Sequence, residues 1–377
     1  MTGRTTGVVG AGLMGADIAA MLANGGYEVV LVDVDPDALA AARERHAGGA
    51  PEALVEAGLR EAGAPPLAER ITYTDDLAAL ADCEFVVEAV SEDLDLKRTL
   101  LADIEAVVAE DAVLATNTSS LTPTDVAADL QHPGRVTFFH FANPPIKRDV
   151  VEVGGVNATE EAYRTTVEVG EGMGKWVAEL AGEGRAHCLS RISAAIKCAG
   201  TWELLEAEPA AINVAASNLG FPRGPLELID LIGIDVHLAT VDNLHDSYDG
   251  RFDPPADLRE RMERMVDEDR MGKKSGTGFY EWDGDDPVVP EVESGHDIAP
   301  IVGAMVSEAH RIVADGITDA DTLDEILQRG GGGDLGPFGA QELLGAGYLV
   351  DVLEARYEAT GAAIYEPAAG LRGAAGE

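Results

Sequence analysis

The chain has 377 residues, and its 68 acidic and 27 basic side chains give a formal net charge of -41. This charge argues against nucleic acids and anionic membranes as partners, because both are polyanions. The chain has only 6 lysines beside 21 arginines, while its hydrophobic content is ordinary at 46%. The composition is that of a folded halophilic protein, and we expect thermal stability to rise between low and multimolar salt, which screens the self-repulsion.

The three cysteines are Cys83, Cys188 and Cys198, and their spacing matches neither a disulfide framework nor a metal site. We therefore expect reduced thiols, no metal and a cytoplasmic location. No apolar run is long enough to span a membrane. A strand and a glycine turn begin almost at once at the N-terminus, which is not the pattern of a signal peptide.

Residues 7–33 are the stretch around which the chain is organised. A short apolar strand leads into the turn GAGLMG at residues 10–15, an apolar helix follows, and a second strand ends at Asp33. Glycines at these spacings permit a tight turn, a close approach of the backbone to a pyrophosphate, and close packing of the helix. An acid about twenty residues later accepts hydrogen bonds from an adenosine ribose and repels a 2′-phosphate. The stretch predicts dinucleotide binding, with NAD favoured over NADP.

The rest of the N-terminal half alternates between strands and helices. Helical stretches separate most of a series of predicted strands at residues 71–73, 83–90, 112–115, 136–139, 150–153 and 176–180. This alternation predicts an α/β domain over residues 1–185, with a doubly wound parallel sheet of the Rossmann type.

Beyond residue 185 the pattern is helical, with residues 189–218 helical throughout and no further strand expected. The sequence GPL followed by LIG at 224–233 recurs as GPF followed by LLG at 336–345. Long apolar helices that begin at Ile192 and Ile301 precede the two copies. We predict two related all-helical units, at residues 186–285 and 296–377. Residues 250–295 are expected to form loop around one short helix, and residues 366–377 a frayed tail.

Two polar residues follow each other on neighbouring predicted strands. His140 ends one strand and Glu152 lies on the next, so we expect both at the carboxyl edge of the parallel sheet, where ligands bind. A carboxylate that binds an imidazole fixes its tautomer and stabilises the charge that it gains as a base. A purely structural pair is the competing interpretation.

Further polar candidates lie at the ends of the two preceding strands. Ser119 is expected to donate a hydrogen bond into the same crevice, while Ser120 caps the next helix. Glu88 and Lys97 flank the loop after an apolar strand. Lys97 either reaches a cofactor or is a solvated helix lysine.

These residues together carry a resemblance to the 3-hydroxyacyl-CoA dehydrogenase family. It rests on GxGxMG with Asp33, VVEAVSEDLDLK, ATNTSSL, HFANP, VVEV, LGFPRGPLELIDLIGID and GKKSGTGFY, in this order from residue 7 to about residue 283. The trailing helical repeat resembles the second unit of some fused members. The helical domain forms the dimer interface in single-unit members, so the resemblance implies either an internal pseudo-dimer, active as a monomer, or a homodimer.

The resemblance implies a role for each candidate. His140 would exchange the proton of the 3-hydroxyl, and Glu152 would orient the His140 ring. Ser119 would bind the substrate oxygen near the nicotinamide. The implied NAD contacts are Gly10, Gly12, Leu13, Met14, Gly15, Asp33, Glu88, Lys97, Asn117, Ser119 and Lys274. The implied substrate, an acyl-CoA thioester, would meet Ser119, Asn143 and Ser190.

Two departures from the family pattern affect the substrate side. Members enter the helical domain through Pro-Gly-Phe and an Asn that reaches the substrate, whereas Ser190 stands here at the Asn position and is counted with the catalytic residues. Lys147 and Arg148 replace part of an apolar stretch and are either a grip for a carboxylate or a solvated loop. The function predicted is NAD-dependent oxidation of (S)-3-hydroxyacyl-CoA. The alternatives are a dehydrogenase of a free 3-hydroxy acid or sugar acid, and a non-catalytic NAD-binding protein.

Overall fold

The computed structural model describes residues 3–376 and divides after His187 into two compact units. The first unit is built on an eight-stranded sheet in the order β3-β2-β1-β4-β5-β6-β7-β8. Its strands are β1 (Thr5–Val9), β2 (Glu28–Val32), β3 (Ile71–Thr74), β4 (Phe85–Glu88), β5 (Val113–Thr116), β6 (Val136–Phe141), β7 (Val150–Gly154) and β8 (Trp176–Glu179).

The sheet is buried on both faces, as a doubly wound sheet requires. Every residue of β4, β5, β6 and β7 is buried, which explains why these strands are nearly continuous apolar runs. Two apolar clusters form the core on its two sides. The helices of this unit are α1 (Leu13–Asn24), α2 (Pro36–Ala47), α3 (Gly49–Glu56), α4 (Leu94–Glu105), α5 (Pro123–Val126) and α6 (Glu160–Gly172).

One neighbouring pair of strands departs from the predicted parallel arrangement. All adjacent pairs are parallel except β6 and β7, which are antiparallel with His140 directly opposite Glu152. The expectation that both residues lie at carboxyl ends of parallel strands is therefore wrong. The short connection of residues 142–149 turns the chain straight back, whereas a parallel neighbour needs a longer crossover.

The second unit is mainly helical. Its helices are α7 (Cys188–Glu203), α8 (Pro209–Asn218), α9 (Pro225–Ile232), α10 (Ile234–His245), α11 (Ala256–Asp267), α12 (Ala299–Ala314), α13 (Ala320–Gly331), α14 (Pro337–Leu344), α15 (Ala346–Thr360) and α16 (Ala369–Ala375). Residues 189–218 are not one helix, because Pro209 starts α8 after a break. A hairpin of β9 (Glu281–Asp283) and β10 (Asp286–Val288) also corrects the expectation that no strand follows residue 185.

The repeated motif adopts the same local structure twice. Helices α9 and α14 each have 8 residues, begin with proline and end at glycines whose φ angles are 103° and 89°. Only glycine adopts such angles readily, which explains its presence at Gly233 and Gly345. A side chain on Gly224 would collide with Asn213, and one on Gly336 would collide with Asp324. The two copies therefore also share this close approach between two helices.

The C-terminal segment is ordered, which corrects the prediction of a frayed tail. Helix α16 buries Leu371 completely, and the Ala368 N–H donates to the Ser307 hydroxyl at 2.7 Å. The segment AAGLRGAAG consists mostly of small residues, so its pattern did not indicate that Leu371 packs into the core. Within residues 3–376, no helix has both the length and the apolar character needed to cross a membrane.

Candidate active site

The glycine turn between β1 and α1 forms an open cradle. Gly10 has a φ of 104°, and a Cβ on Gly15 would lie 1.9 Å from the Gly10 carbonyl oxygen, so both positions require glycine. Nothing lies within 4 Å of the place where Gly12 would carry a Cβ. Helix α1 begins at Leu13 with no side-chain cap, so its first N–H groups face this open space. Such a helix N-terminus fits a pyrophosphate.

Asp33 ends β2 beside this cradle and supports it. Its Oδ2 accepts a hydrogen bond from the Ala11 N–H at 2.6 Å, and its Oδ1 accepts one from the Asp35 N–H at 2.9 Å. Leu13 and Val34, which are 55% and 88% exposed, present apolar surface next to these groups. The sequence analysis did not select Val34, although its position directly after the strand-ending acid is a usable signal.

His140 and Glu152 form a buried pair across β6 and β7. The His140 Nδ1 lies 2.6 Å from the Glu152 Oε2, and the side chains are 6% and 2% exposed. The carboxylate accepts the Nδ1 proton, which leaves Nε2 as the basic nitrogen of the ring. The pair therefore has the arrangement of a general base and its orienting acid.

A second imidazole lies beside this pair and was missed by the sequence analysis. The His187 ring stacks on Phe138 with ring centroids 4.0 Å apart and lies 5.1 Å from the His140 ring. Burial, and then the neighbouring His140, lower the pKa of His187 to about 3, so it stays neutral. His187 stands where the family pattern has Phe, and that departure was the available signal. It follows Ala186, which adopts a left-handed φ of 58° in the place of the family glycine.

Glu92, also missed, holds the loop that carries Ser119. Its Oε1 accepts hydrogen bonds from the Ser119 N–H at 2.9 Å, the Ser120 N–H at 2.7 Å and the Thr118 hydroxyl at 2.5 Å. Burial raises the pKa of Glu92, but Lys97 and these donors outweigh it, so its pKa is lowered. The carboxylate therefore stays charged and fixes the loop.

Ser119 itself is exposed, as the prediction of a ligand-facing hydroxyl requires. Thr122, whose hydroxyl accepts a hydrogen bond from the Asp125 N–H, caps α5. The prediction that Ser120 is this cap is wrong, because Ser120 donates to Glu92 instead.

Glu88 and Lys97 form a buried ion pair below the same loop. The Lys97 Nζ lies 2.8 Å from Glu88 and 3.4 Å from Glu92, and the side chains of Lys97 and Glu88 are only 1% and 0% exposed. Thr116 donates a further hydrogen bond to Glu88 at 2.7 Å. The two residues thus support the end of β4 and the Glu92 carboxylate, and direct contact with a cofactor stays a prediction.

The remaining polar candidates of the sheet unit lie near His140. The Asn117 side chain accepts a hydrogen bond from the Phe141 N–H at 3.1 Å and so ties the end of β5 to the residue after His140. Asn143 and Lys147 are exposed. The buried Lys175 donates to the Pro145 carbonyl at 2.7 Å and thereby holds the loop that carries Lys147 and Arg148 in place.

Two candidates belong to the helical unit. Ser190 lies in the first turn of α7. Lys274 forms an ion pair with Asp235 at 2.5 Å, so its ammonium already has a partner. Their contacts with substrate and cofactor stay predictions. Within the described part of the chain, no group of three or more His, Cys, Asp or Glu side chains is arranged to hold a metal ion.

Comparison with known proteins assigns both units to one family. The model of the 3-hydroxyacyl-CoA dehydrogenase NAD-binding domain matches residues 5–183. The model of the C-terminal domain of the same family matches residues 189–282 and 297–375.

Three relatives illustrate the similarity. The chain is 32% identical over 333 residues to 3-hydroxyadipyl-CoA dehydrogenase of Escherichia coli K12, a match that covers 85% of this chain and 66% of that protein. It is 33% identical over 288 residues to a probable 3-hydroxybutyryl-CoA dehydrogenase of Deinococcus radiodurans, covering 73% of this chain and 99% of that protein. The crystal structure of 3-hydroxybutyryl-CoA dehydrogenase from E. coli K12 has a TM-score of 0.83 and 25% identity, and covers 100% of this chain and 98% of that chain.

These findings confirm the predicted fold class, an enzyme of the NAD-dependent 3-hydroxyacyl-CoA dehydrogenase type, and NAD as its cofactor. They disfavour the alternative of a non-catalytic NAD-binding protein. The chain belongs to the 3-hydroxyacyl-CoA dehydrogenase family.

Proposed function

We propose that His140 and Glu152 carry the proton in the reversible oxidation of an (S)-3-hydroxyacyl-CoA to the 3-oxoacyl-CoA. The observation that supports this proposal is that the two side chains form a buried pair, with 2.6 Å between the His140 Nδ1 and the Glu152 Oε2. In oxidation the His140 Nε2 takes the proton of the 3-hydroxyl, and Glu152 stabilises the imidazolium that forms. In reduction His140 returns the proton to the 3-oxo oxygen.

Ser119 binds the reacting oxygen. Ser119 is exposed, its hydroxyl donates to the Glu92 Oε1 at 3.4 Å, and Glu92 also fixes the backbone on either side, so the donor is held in place before substrate arrives. The neutral His187 beside His140 and the buried Phe138 keep the pair away from bulk water. Bound NAD⁺ supplies the acceptor for the hydride that leaves C3.

The glycine cradle holds the cofactor. Gly10, Gly12 and Gly15 leave room for the pyrophosphate, and the uncapped start of α1 offers its N–H groups. Asp33 binds the adenosine ribose with the lone pairs that its backbone contacts leave free, and Leu13, Met14 and Val34 form apolar surface for the adenosine half.

The test is oxidation of NADH with acetoacetyl-CoA in multimolar salt, with free acetoacetate as the matched control. Turnover of the thioester alone supports the proposal and shows that Ser190 substitutes for the family Asn. Turnover of the free acid alone favours the alternative of a free 3-oxo or 3-hydroxy acid as substrate. No turnover of either, with NADH still bound, contradicts the proposed reaction.

We also propose that the second helical repeat takes the place of a partner subunit. Support comes from α12, which packs along α7 within the same compact unit, and from the motif shared by α9 and α14. Light scattering in multimolar salt is expected to give a mass near the 39.4 kDa of one chain. Twice that mass would favour a homodimer.

A reduced, cytoplasmic setting completes the proposal. Its support is that Cys83, Cys188 and Cys198 are all free thiols buried in the core. Burial raises the pKa of Cys83 to about 12, so this thiol is unreactive. Labelling of the native protein with a thiol reagent is expected to modify none of them.

A further inference from the structure

Two different parts of the chain hold the backbone around Ser119. Glu92 accepts the N–H groups of Ser119 and Ser120, at 2.9 and 2.7 Å. The carbonyl groups on either side of Ser119, those of Thr118 and Ser120, accept hydrogen bonds from residues 186–187. The donors and the acceptors of the Ser119 loop are therefore fixed separately, and residues 186–187 provide the second set of contacts.

Only one of these two contacts from residues 186–187 depends on a side chain. The Ala186 N–H donates to the Ser120 carbonyl at 3.2 Å, a backbone contact that any residue except proline can form. The His187 ring donates to the Thr118 carbonyl. Phenylalanine, which stands at this position in the family pattern, has no side-chain donor. The histidine therefore adds a hydrogen bond to the Ser119 loop that the family residue cannot form.

This hydrogen bond also defines the state of the His187 ring. Its Nε2 has no hydrogen-bond partner within residues 3–376, so the bond to the Thr118 carbonyl is formed by Nδ1. A carbonyl oxygen only accepts, so Nδ1 carries the proton. Burial, followed by the neighbouring His140, lowers the pKa of His187 to about 3, so the ring has no second proton at neutral pH. His187 is therefore a neutral donor and not a second base.

The same ring packs against the proposed base. Phe138 and His140 are two residues apart on β6, so their side chains lie on one face of the sheet. The His187 ring lies against both, with ring centroids 4.0 Å from Phe138 and 5.1 Å from His140, and all three side chains are buried. One side chain thus contacts the base and, through Thr118, the backbone next to Ser119.

We propose that His187 is a positioning residue that aligns the Ser119 hydroxyl and the His140 ring on one substrate oxygen. The inference rests on the proposed function, in which Ser119 binds this oxygen and His140 exchanges its proton. Because both groups act on the same atom, a small displacement of one relative to the other lowers the rate of proton transfer. His187 limits this displacement, since a hydrogen bond ties it to the Ser119 loop and packing holds it against His140.

A role in packing alone is the competing explanation, and four side chains at position 187 distinguish it from positioning. Histidine has both a ring and the donor, whereas phenylalanine has only the ring. Asparagine has no ring, but its amide nitrogen takes the place of Nδ1, and leucine has nearly the shape of asparagine without a donor. The hydrogen bond is therefore measured twice, with the ring by comparing wild type and His187→Phe, and without it by comparing His187→Asn and His187→Leu.

The measured quantity is kcat for the oxidation of NADH with acetoacetyl-CoA in multimolar salt. His187→Phe is expected to lower kcat by about tenfold, and the kcat of His187→Asn should exceed that of His187→Leu by a similar factor. The KM for NADH should change little, because the substitutions leave the glycine cradle intact. No difference in kcat within either pair is the result expected of packing alone and overturns the inference.

Wild-type turnover separates this test from that of the proposed function. If the wild type turns over acetoacetyl-CoA and neither pair shows a difference, only the present inference fails. If the wild type turns over no thioester although NADH binds, the proposed function fails. Melting temperatures of the four proteins verify folding. If His187→Phe does not fold, the pair of His187→Asn and His187→Leu still decides the question, because its two members share a shape.

Discussion

The two units of the molecule treat buried charge differently. The sheet unit pairs its buried ionisable groups closely, as in Lys97 with Glu88 and His140 with Glu152. The helical unit also has paired charges, such as Arg191 with Glu308 at 2.5 Å, but neither ring nitrogen of the buried His237 has a hydrogen-bond partner within residues 3–376. Paired groups preserve a geometry, whereas a buried imidazole without a partner stays neutral because burial lowers its pKa. The comparison separates the groups that hold the candidate site in shape from one that only responds to pH.

The largest expected effect comes from removing His140, the proposed base in the sheet unit. His140→Ala is expected to lower kcat by about a hundredfold to ten-thousandfold, because proton transfer then depends on water. Glu152→Gln should lower kcat by a smaller factor. Stopped-flow kinetics with a 3-oxoacyl-CoA measures both effects, and NADH fluorescence verifies that the cofactor still binds. A His140→Ala enzyme with the kcat of the wild type would contradict the proposed proton transfer by His140.

A smaller effect is expected from Glu92, which acts through the Ser119 loop. Glu92→Gln keeps the shape but loses the charge that accepts two N–H groups and the neighbouring hydroxyls, so kcat should fall by about tenfold to a hundredfold. Glu105→Gln is the matched control. Its carboxylate accepts the N–H groups of Gln131 and His132 on another loop, at 2.8 and 3.0 Å. Equal losses of kcat in both variants would reduce Glu92 to a general stabilising role.

Acid titration tests two buried imidazoles, one in each unit, whose pKa values are lowered by burial. His187 and His237 have pKa values of about 3 when folded, against 6.5 when exposed in the unfolded chain, so the unfolded chain binds more protons between these values. Stability is therefore complete above pH 6.5 and falls as the pH drops towards 3. Each histidine should cost about 2 kcal/mol between pH 7 and pH 5.

Urea unfolding of the wild type and of His237→Leu at both pH values measures this term. The variant should lose less stability on acidification. Equal losses would show that the pKa of His237 is not depressed in the folded protein. His187→Phe, which restores the family residue, makes the same comparison in the sheet unit.

The smallest expected effect concerns backbone strain rather than charge. Ala186 is buried and has a left-handed φ of 58°, a conformation that glycine adopts without the steric penalty of a Cβ. Ala186→Gly should raise the free energy of unfolding by about 0.5–1 kcal/mol. Ala102→Gly, in the ordinary helix α4, should lower it by about 1 kcal/mol. Thermal unfolding of the two variants should give shifts of opposite sign.

Much of the sheet unit follows from local sequence. The glycine turn, the apolar strands and the acid after β2 are signals within short windows, and the structure places them as predicted. The direction of β7 does not follow from its residues, since a buried strand is equally apolar in either direction. That α16 is an ordered helix could not be predicted either, because Leu371 is the one buried residue in a segment of small residues.

The candidate site shows the same limit. His140 and Glu152 are found from sequence because only a short connection separates them. His187 reaches His140 from a distant part of the chain, so its proximity depends on tertiary folding. Glu92 lies in the predicted loop motif, but its role appears only when the Ser119 loop comes to lie above it. The lack of hydrogen-bond partners for the His237 ring within residues 3–376 is likewise visible only in three dimensions.

The antiparallel register of β6 and β7 has a consequence for the evolution of this enzyme. Backbone pairing between the strands keeps His140 opposite Glu152, and in a hairpin the length of the connection, here residues 142–149, helps to set that register. A shift by one residue would turn Glu152 to the other face of the sheet. The connection can therefore vary in sequence more readily than in length. Protein engineers who replace it have to keep its length if the two side chains are to stay aligned.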